Sequence, residues 1–297
     1  MSTTARICLI GFGEVGQTLA MDLLARHLRG LSTWDIEFAD PSSAPSIAAK
    51  TIAIRCGADV RDAVAGAQLV LSAVTAEQDL QAAKSVAPHL DRGAFFLDVN
   101  SVSPGVKQQV AKVIDAVGGR YVEAAIMSPI LPRRIEAPIL LGGPNAAAFL
   151  PLARELGFEG TEVFPGQLGR ASAAKMCRSI VVKGMEALLT ESMLTARHYG
   201  VEESVLDSLQ NVLRTDHWPT LARYMISRSL VHGRRRAEEM REVARTVSDA
   251  NVQPWMSSAC AERQDWAAQH GAAASQETLE ALLDAIRAAE DGDRTGC

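Results

Sequence analysis

Apolar positions along this chain follow two rhythms. Through about residue 166, short apolar runs alternate with stretches of helical spacing, and from Arg170 onward helical spacing stands almost alone. The first run, Arg6-Ile7-Cys8-Leu9-Ile10, breaks at Gly11. The residues that follow, Gln17-Thr18-Leu19-Ala20-Met21-Asp22-Leu23-Leu24, return their apolar side chains at helical intervals. The same alternation predicts further strands over 34–40, 51–55, 68–74, 94–99, 120–126, 138–141 and 161–164. Helices are predicted over 60–65, 77–90 and 146–156, with another opening at Ser103 as N-cap and Pro104 at its first position. Alternating strands and helices imply a mostly parallel sheet covered on both faces. Composition shifts after Pro165-Gly166, and a long helix is predicted from about 171 to 198. The expected organisation is an α/β domain over 1–166 and an all-α domain over 167–297, with 291–296 as a polar tail that frays.

The break in the first run has chemical content. Gly11-Phe12-Gly13-Glu14-Val15-Gly16 matches G-x-G-x-x-G between a buried strand and a helix. One glycine permits the turn, one lets backbone approach a pyrophosphate, and one lets helix and strand pack closely. Amides at the helix start then face the phosphates. The α/β half is therefore expected to be Rossmann-type. Asp40, at the end of the predicted strand over 34–40, lies near the distance at which a carboxylate accepts hydrogen bonds from an adenosine ribose. Its charge would repel a 2'-phosphate, which favours NAD; Ser42, Ser43 and Lys50 keep NADP open. Asp40 could instead simply open the turn Asp-Pro-Ser-Ser. Ligands of such sheets sit beyond the strand C-termini, so Val74, Thr75, Asn100 and Ser101 are expected on the cofactor side.

Composition narrows the partners. With 297 residues, 47% hydrophobic and 22% charged, the chain can bury a sizeable core. A net charge of -5 gives no general reason to bind nucleic acid, and the one basic run, Arg234-Arg235-Arg236, is followed at once by Glu238 and Glu239. The five cysteines are scattered without a C-x-x-C pair, so neither a disulfide framework nor a metal site is expected. No apolar run approaches bilayer length, and the start runs directly into the first strand; the reading is a reduced, cytoplasmic protein.

At the domain junction, Gly166-Gln167-Leu168-Gly169-Arg170-Ala171-Ser172-Ala173-Ala174-Lys175 sets Lys175 early in the long helix, with Lys183 two turns on. A lysine near a helix N-terminus is disfavoured by the dipole, which lowers its pKa, and a proton-transferring lysine needs such a shift. A solvated surface lysine is the alternative. The glycine turn, the segment Asp98-Val99-Asn100-Ser101-Val102-Ser103-Pro104 and the segment from Gly166 to Lys175 occur in the order found in β-hydroxyacid dehydrogenases, which include the 3-hydroxyisobutyrate and 6-phosphogluconate enzymes. The chain resembles that family over about its first two-thirds, and mainly by architecture beyond. The resemblance implies that Lys175 is the general acid/base and that Ser101 holds the substrate, with the amides of Val102 and Ser103 available to its carboxylate. Ser103 also fits a plain cap. A homodimer built through the helical domain is implied as well.

Departures from the family pattern concern the substrate. Where the family has Asp-x-x-x-Ser-Gly-Gly, this chain reads Glu123-Ala124-Ala125-Ile126-Met127-Ser128-Pro129, which shifts the serine to Ser128 and removes the glycines. The family's asparagine one turn past the lysine is Ser179 here, preceded by Arg178, which could pair with a carboxylate or phosphate. The family's Lys-Asp pair is absent from His232-Gly233-Arg234-Arg235-Arg236, where a histidine or arginine could approach the substrate or form a solvated helix face. His89, His198 and His217 read as helix-end residues, and Trp218 and Trp255 as packing or interface residues. The expected activity is NAD(P)-dependent hydride transfer with a small hydroxy acid. Imine reduction, oxidative decarboxylation and a dinucleotide sensor without turnover are the rivals.

Overall fold

A computed structural model describes residues 5–209, 217–249 and 253–295. It forms two compact units, Met1–Met176 and Cys177–Cys297. The first unit runs β1 (Arg6–Ile10), α1 (Glu14–Ala25), β2 (Gly30–Trp34), α2 (Ala44–Ile52), β3 (Arg55–Cys56), α3 (Val60–Val64), β4 (Leu69–Ser72) and α4 (Asp79–Val86). It continues through β5 (Phe95–Asp98), α5 (Pro104–Ala116), β6 (Arg120–Ile126), β7 (Ile139–Gly142), α6 (Ala146–Glu155) and β8 (Thr161–Val163).

The eight strands form one sheet in the order β3-β2-β1-β4-β5-β6-β7-β8. All neighbours are parallel except β6 and β7, whose connection carries only a 3-10 turn at Arg134–Glu136 and no crossover helix. The apolar runs are continuous because both faces are covered. In β1, Ile7 and Leu9 join one core cluster while Cys8 and Ile10 join the other. Strand order reverses between β1 and β4, which is the place where such sheets open a crevice at their C-terminal edge.

Two predicted strands are corrected. The segment over 34–40 is not a strand: β2 ends at Trp34, and Asp35 caps a 3-10 turn, Ile36–Ala39, by accepting the Glu37 amide. The segment over 51–55 belongs mostly to α2, because Ser43 caps that helix, Thr51 returns its hydroxyl to the Ile47 carbonyl, and Ala53 ends it in the left-handed region at φ 56°. Only Arg55 and Cys56 pair with β2.

The second unit is helical. After α7 (Arg170–Tyr199), whose first turns belong to the first unit, come α8 (Glu202–Leu209), α9 (Trp218–Asp249), α10 (Trp255–Ala267) and α11 (Leu279–Thr295). Met193, Ile226, Leu230, Leu282, Leu283 and Ile286 form its core. The tail expected to fray is helical through Thr295, since the same helix buries Leu282, Leu283 and Ile286. The division at Met176 lies beyond the compositional change at Gly166, inside α7, because the helix's opening turn is bonded to the sheet.

Candidate functional site

The glycine turn divides its work among three positions. Gly11 takes φ 90°, and a Cβ there would lie 2.3 Å from the Ala73 carbonyl oxygen. At Gly16 a Cβ would lie 2.2 Å from the Gly11 carbonyl oxygen, so α1 packs directly on the turn. Gly13 differs: a Cβ would meet nothing within 4 Å, and Gly13 and Glu14 are exposed at the first turn of α1. An open backbone at a helix N-terminus fits a dinucleotide pyrophosphate. Phe12 turns its ring into the core against Phe38, and Val15 is half-buried.

The carboxylate beside this turn is Asp35, which the sequence reading passed over. Its Oδ2 accepts the Phe12 amide at 2.6 Å and its Oδ1 accepts the Glu37 amide at 2.9 Å. Asp40 lies beyond the 3-10 turn, exposed, and its carboxylate accepts the Ser42 amide at 2.8 Å and hydroxyl at 2.7 Å. Those bonds hold its carboxyl below the usual range. Asp40 is thus the turn opener of Asp-Pro-Ser-Ser. Asp35 was legible in principle as the first acid after the apolar run of β2.

At the ends of β4 and β5, Asn100 is buried and its amide is engaged by protein. Its Oδ1 accepts the Val74 amide at 2.7 Å, and its Nδ2 donates to Ser72 Oγ at 2.9 Å and Asp79 Oδ1 at 2.7 Å. Asn100 thus ties the two loops together and holds the backbone at Val74, next to exposed Thr75. Beneath it, Asp98 receives Lys107 Nζ at 2.6 Å and the Tyr121 hydroxyl at 2.8 Å. Asp79 Oδ2 is buried without a donor among the described residues, and burial together with the Asp98 charge pushes its pKa up to about 8.

The loop after β5 separates its hydroxyls. Ser101 is half-buried, while Ser103 is buried at the N-cap of α5 and accepts the Val106 amide at 3.4 Å. The hydroxyl of Ser103 is thus occupied by the cap. The Val102 carbonyl accepts the Ser172 hydroxyl. Glu123, in the middle of β6, accepts the Gly169 amide at 2.7 Å and the Ser172 amide at 2.6 Å. These bonds dock the opening turn of α7 on the sheet's C-terminal edge, and half-buried Lys175 follows one turn beyond Ser172. Glu123 and Ser172 were missed as anchors, although a lone carboxylate amid the buried apolar residues of β6 is itself a signal.

The remaining predicted residues are placed as follows. Ser128 donates to the Pro129 carbonyl at 2.9 Å. Arg178 is exposed. Ser179 is buried and accepts from Lys183 Nζ at 3.3 Å; Lys183 in turn pairs with Glu239 at 2.8 Å, and Arg235 joins the same carboxylate. Arg236 is 4% exposed and pairs with Glu186, so the arginine run is not a solvated face throughout. Burial lowers the pKa of Arg236. His217 is exposed at the start of α9 and His89 closes a 3-10 turn. The side chains of His198 and Trp218 lie outside those described, and Trp255 is 77% exposed.

Comparison with known proteins decides the family. A model described as the NAD binding domain of 6-phosphogluconate dehydrogenase matches residues 6–147, and a domain of unknown function, DUF1932, matches residues 196–267. A conserved hypothetical protein from Sinorhizobium meliloti 1021 is 33% identical, covers 96% of each chain and superposes with a TM-score of 0.70. The conserved protein MTH1747, whose structure is described as similar to 3-hydroxyacid dehydrogenases, is 30% identical over 90% of this chain and 99% of its own, with a TM-score of 0.65. The chain belongs to the β-hydroxyacid dehydrogenase family. A Mycobacterium tuberculosis 3-hydroxyisobutyrate dehydrogenase with L-serine shares the fold, at 16% identity, a TM-score of 0.70 and coverage of 96% of this chain and 100% of its own. The match of residues 6–147 to an NAD binding domain supports NAD(P) as the cofactor. No helix among the described residues is long and apolar enough to cross a membrane.

Proposed function

We propose that this β-hydroxyacid dehydrogenase relative transfers hydride between a small 3-hydroxy acid and NAD(P), with Lys175 as the general acid/base. The observation that carries the reading is the docking of the opening turn of α7. Glu123 and Val102 hold that turn at the C-terminal edge of the sheet, one helical turn before Lys175. Proton transfer needs an amine within hydrogen-bond reach of the substrate hydroxyl, and a helix start fixed beside the crevice supports that placement. Nicotinamide bound in the crevice supplies the hydride acceptor in oxidation and the donor in reduction.

The residues of this chain divide the rest. Gly11, Gly13, Gly16 and the first-turn amides of α1 receive the pyrophosphate, with Val74 and Thr75 lining the crevice at the end of β4. Asp35 takes the ribose role expected of Asp40; each of its bonded oxygens keeps a second lone pair, and its charge favours NAD. Ser101 holds the substrate hydroxyl or carboxylate, with the Val102 and Ser103 amides beside it. Lys175 Nζ accepts the hydroxyl proton as the carbinol becomes a carbonyl and returns it in reverse. Substrate roles for Ser128, Arg178 and Ser179 belong to the same proposal, with Ser179 acting through Lys183.

Residues 1–166 would then bind dinucleotide, and 167–297 would serve substrate and dimerisation. The dimer is supported by apolar side chains left exposed two turns apart on single helices, Val181 with Leu188 on α7 and Tyr224 with Val231 on α9. Sedimentation as a monomer at assay concentration would remove it.

The deciding experiment is Lys175→Ala assayed in both directions on 3-hydroxyisobutyrate and L-serine. Turnover is expected to fall about 10²- to 10⁴-fold with cofactor affinity unchanged. Turnover near the wild-type level would reject the role. Release of carbon dioxide would identify oxidative decarboxylation; cofactor binding with no turnover on a broad hydroxy-acid panel would identify a sensor. Preference for cyclic imines would identify imine reduction.

A further inference from the structure

Resting on Lys175 as the proton-transferring group, we propose that Glu123 is the positioning residue for it. It fixes the opening turn of α7 and, through a buried negative charge, sets how firmly the Lys175 amine holds its proton.

The geometry is specific. Glu123 is 0% exposed, and its two oxygens accept two main-chain amides of one helical turn, Gly169 at 2.7 Å and Ser172 at 2.6 Å. Room for the carboxylate is kept by the residue opposite it on β7: Glu123 is in register with Gly142, where a Cβ would lie 2.3 Å from Oε2. The Ser172 hydroxyl adds a second tether, to Val102. Ser172 and Lys175 are three residues apart and share a helix face. The carboxylate is therefore bonded to the turn that immediately precedes the lysine.

The electrostatic consequence has a definite sign. An uncompensated helix N-terminus carries about half a positive charge and disfavours a nearby ammonium. A carboxylate bonded to that terminus offsets it, and a buried charge is weakly screened. Glu123 thereby favours the protonated amine. Among the described residues, ionisable groups on the neighbouring elements have partners of their own. From β5, α5 and β6, Asp98, Lys107 and Tyr121 bond one another, and Asp79 on α4 bonds Asn100. On α7 itself Arg170 and Arg178 are exposed. All of them remain in place when Glu123 alone is changed.

The chain has only six lysines, at 50, 84, 107, 112, 175 and 183, so each can be followed separately. Reductive ¹³C-methylation gives one dimethylamine resonance per lysine, and that of Lys175 is assigned by its loss in Lys175→Arg. In Glu123→Gln, with the protein folded by circular dichroism, the Lys175 titration midpoint is expected to move to lower pH by roughly half a unit or more, while Lys50 and Lys84 stay fixed. An unmoved midpoint overturns the proposal. If Glu123→Gln does not fold, Glu123→Asp, which withdraws the charge by one methylene, carries the same comparison: a smaller shift in the same direction supports it and no shift overturns it. The titration needs no turnover. Activity retained by Lys175→Ala beside a shifted midpoint would remove the catalytic reading alone, and activity lost beside an unshifted midpoint would remove the Glu123 role alone.

Discussion

In the α/β unit, buried carboxylates lean on main-chain amides of a loop and of a helix start, whereas in the helical unit they meet side-chain cations. Glu123 accepts two amides of α7, and Asp98 accepts the Asn100 amide at 3.0 Å besides its side-chain partners. Glu186 and Glu239 instead pair with Arg236 and Lys183. The cause lies in the backbone. In the loop after a strand and in the first turn of a helix, amides have no partner within their own element and need acceptors, so an acid beside them fixes that segment. Inside long helices every amide is already bonded within the helix, so a buried charge can find only another side chain. The first arrangement fixes loops and a helix start on the sheet; the second fixes helices against one another.

A large effect should come from breaking a side-chain pair. Glu186→Gln leaves the Arg236 guanidinium buried without its counter-ion and should cost about 3 kcal/mol or more, read as a lower urea midpoint followed by circular dichroism. Replacing both residues by methionine should restore most of that loss. A midpoint unchanged in the single variant would break the contrast between the units.

A smaller effect separates the two acids after β2. Asp35→Ala should weaken NAD binding about tenfold or more, the usual worth of a charged hydrogen bond. Asp40→Ala should leave binding close to wild type, because Asp40 serves only its own turn. Calorimetric titration with NAD decides, and equal losses would return Asp40 to the site.

The last effect is a slope with pH and concerns Asp79. Its folded-state carboxyl is pushed up to about 8 from the ordinary 3.8, so the native protein holds a proton that the unfolded chain releases. That stabilisation is complete below the unfolded value and is lost as pH rises toward 8, after which stability no longer depends on this group. Asp79→Asn, which imitates the neutral acid, lacks this slope. The melting temperature of the variant should therefore gain on wild type between about pH 4 and pH 8 and hold a constant offset above. Parallel curves would mean that Asp79 is ionised in the native protein.

Legibility tracked how local each determinant was. The apolar runs of β1, β4, β5 and β6 and the cap at Ser103 were readable because burial on two faces and capping are written in neighbouring residues. The segment over 34–40 alternates like a strand, yet Asp35 diverts it into a 3-10 turn by holding the Phe12 amide from 23 residues away. Asn100 sat on the correct edge, but its engagement by Ser72, Val74 and Asp79 depends on β4 and β5 lying side by side. The arginine run looked like surface because its counter-ion, Glu186, is 50 residues earlier than Arg236.

By itself the sequence determined the alternation of strands and helices, the glycine turn with its helix, and the early place of Lys175 in the long helix, since each follows from periodicity or from residues within one turn of each other. Only the tertiary structure decided which acids serve the edge and which serve the fold. A carboxylate's role depends on the donors brought to it, and for Glu123 those donors, Gly169 and Ser172, come 46 and 49 residues later.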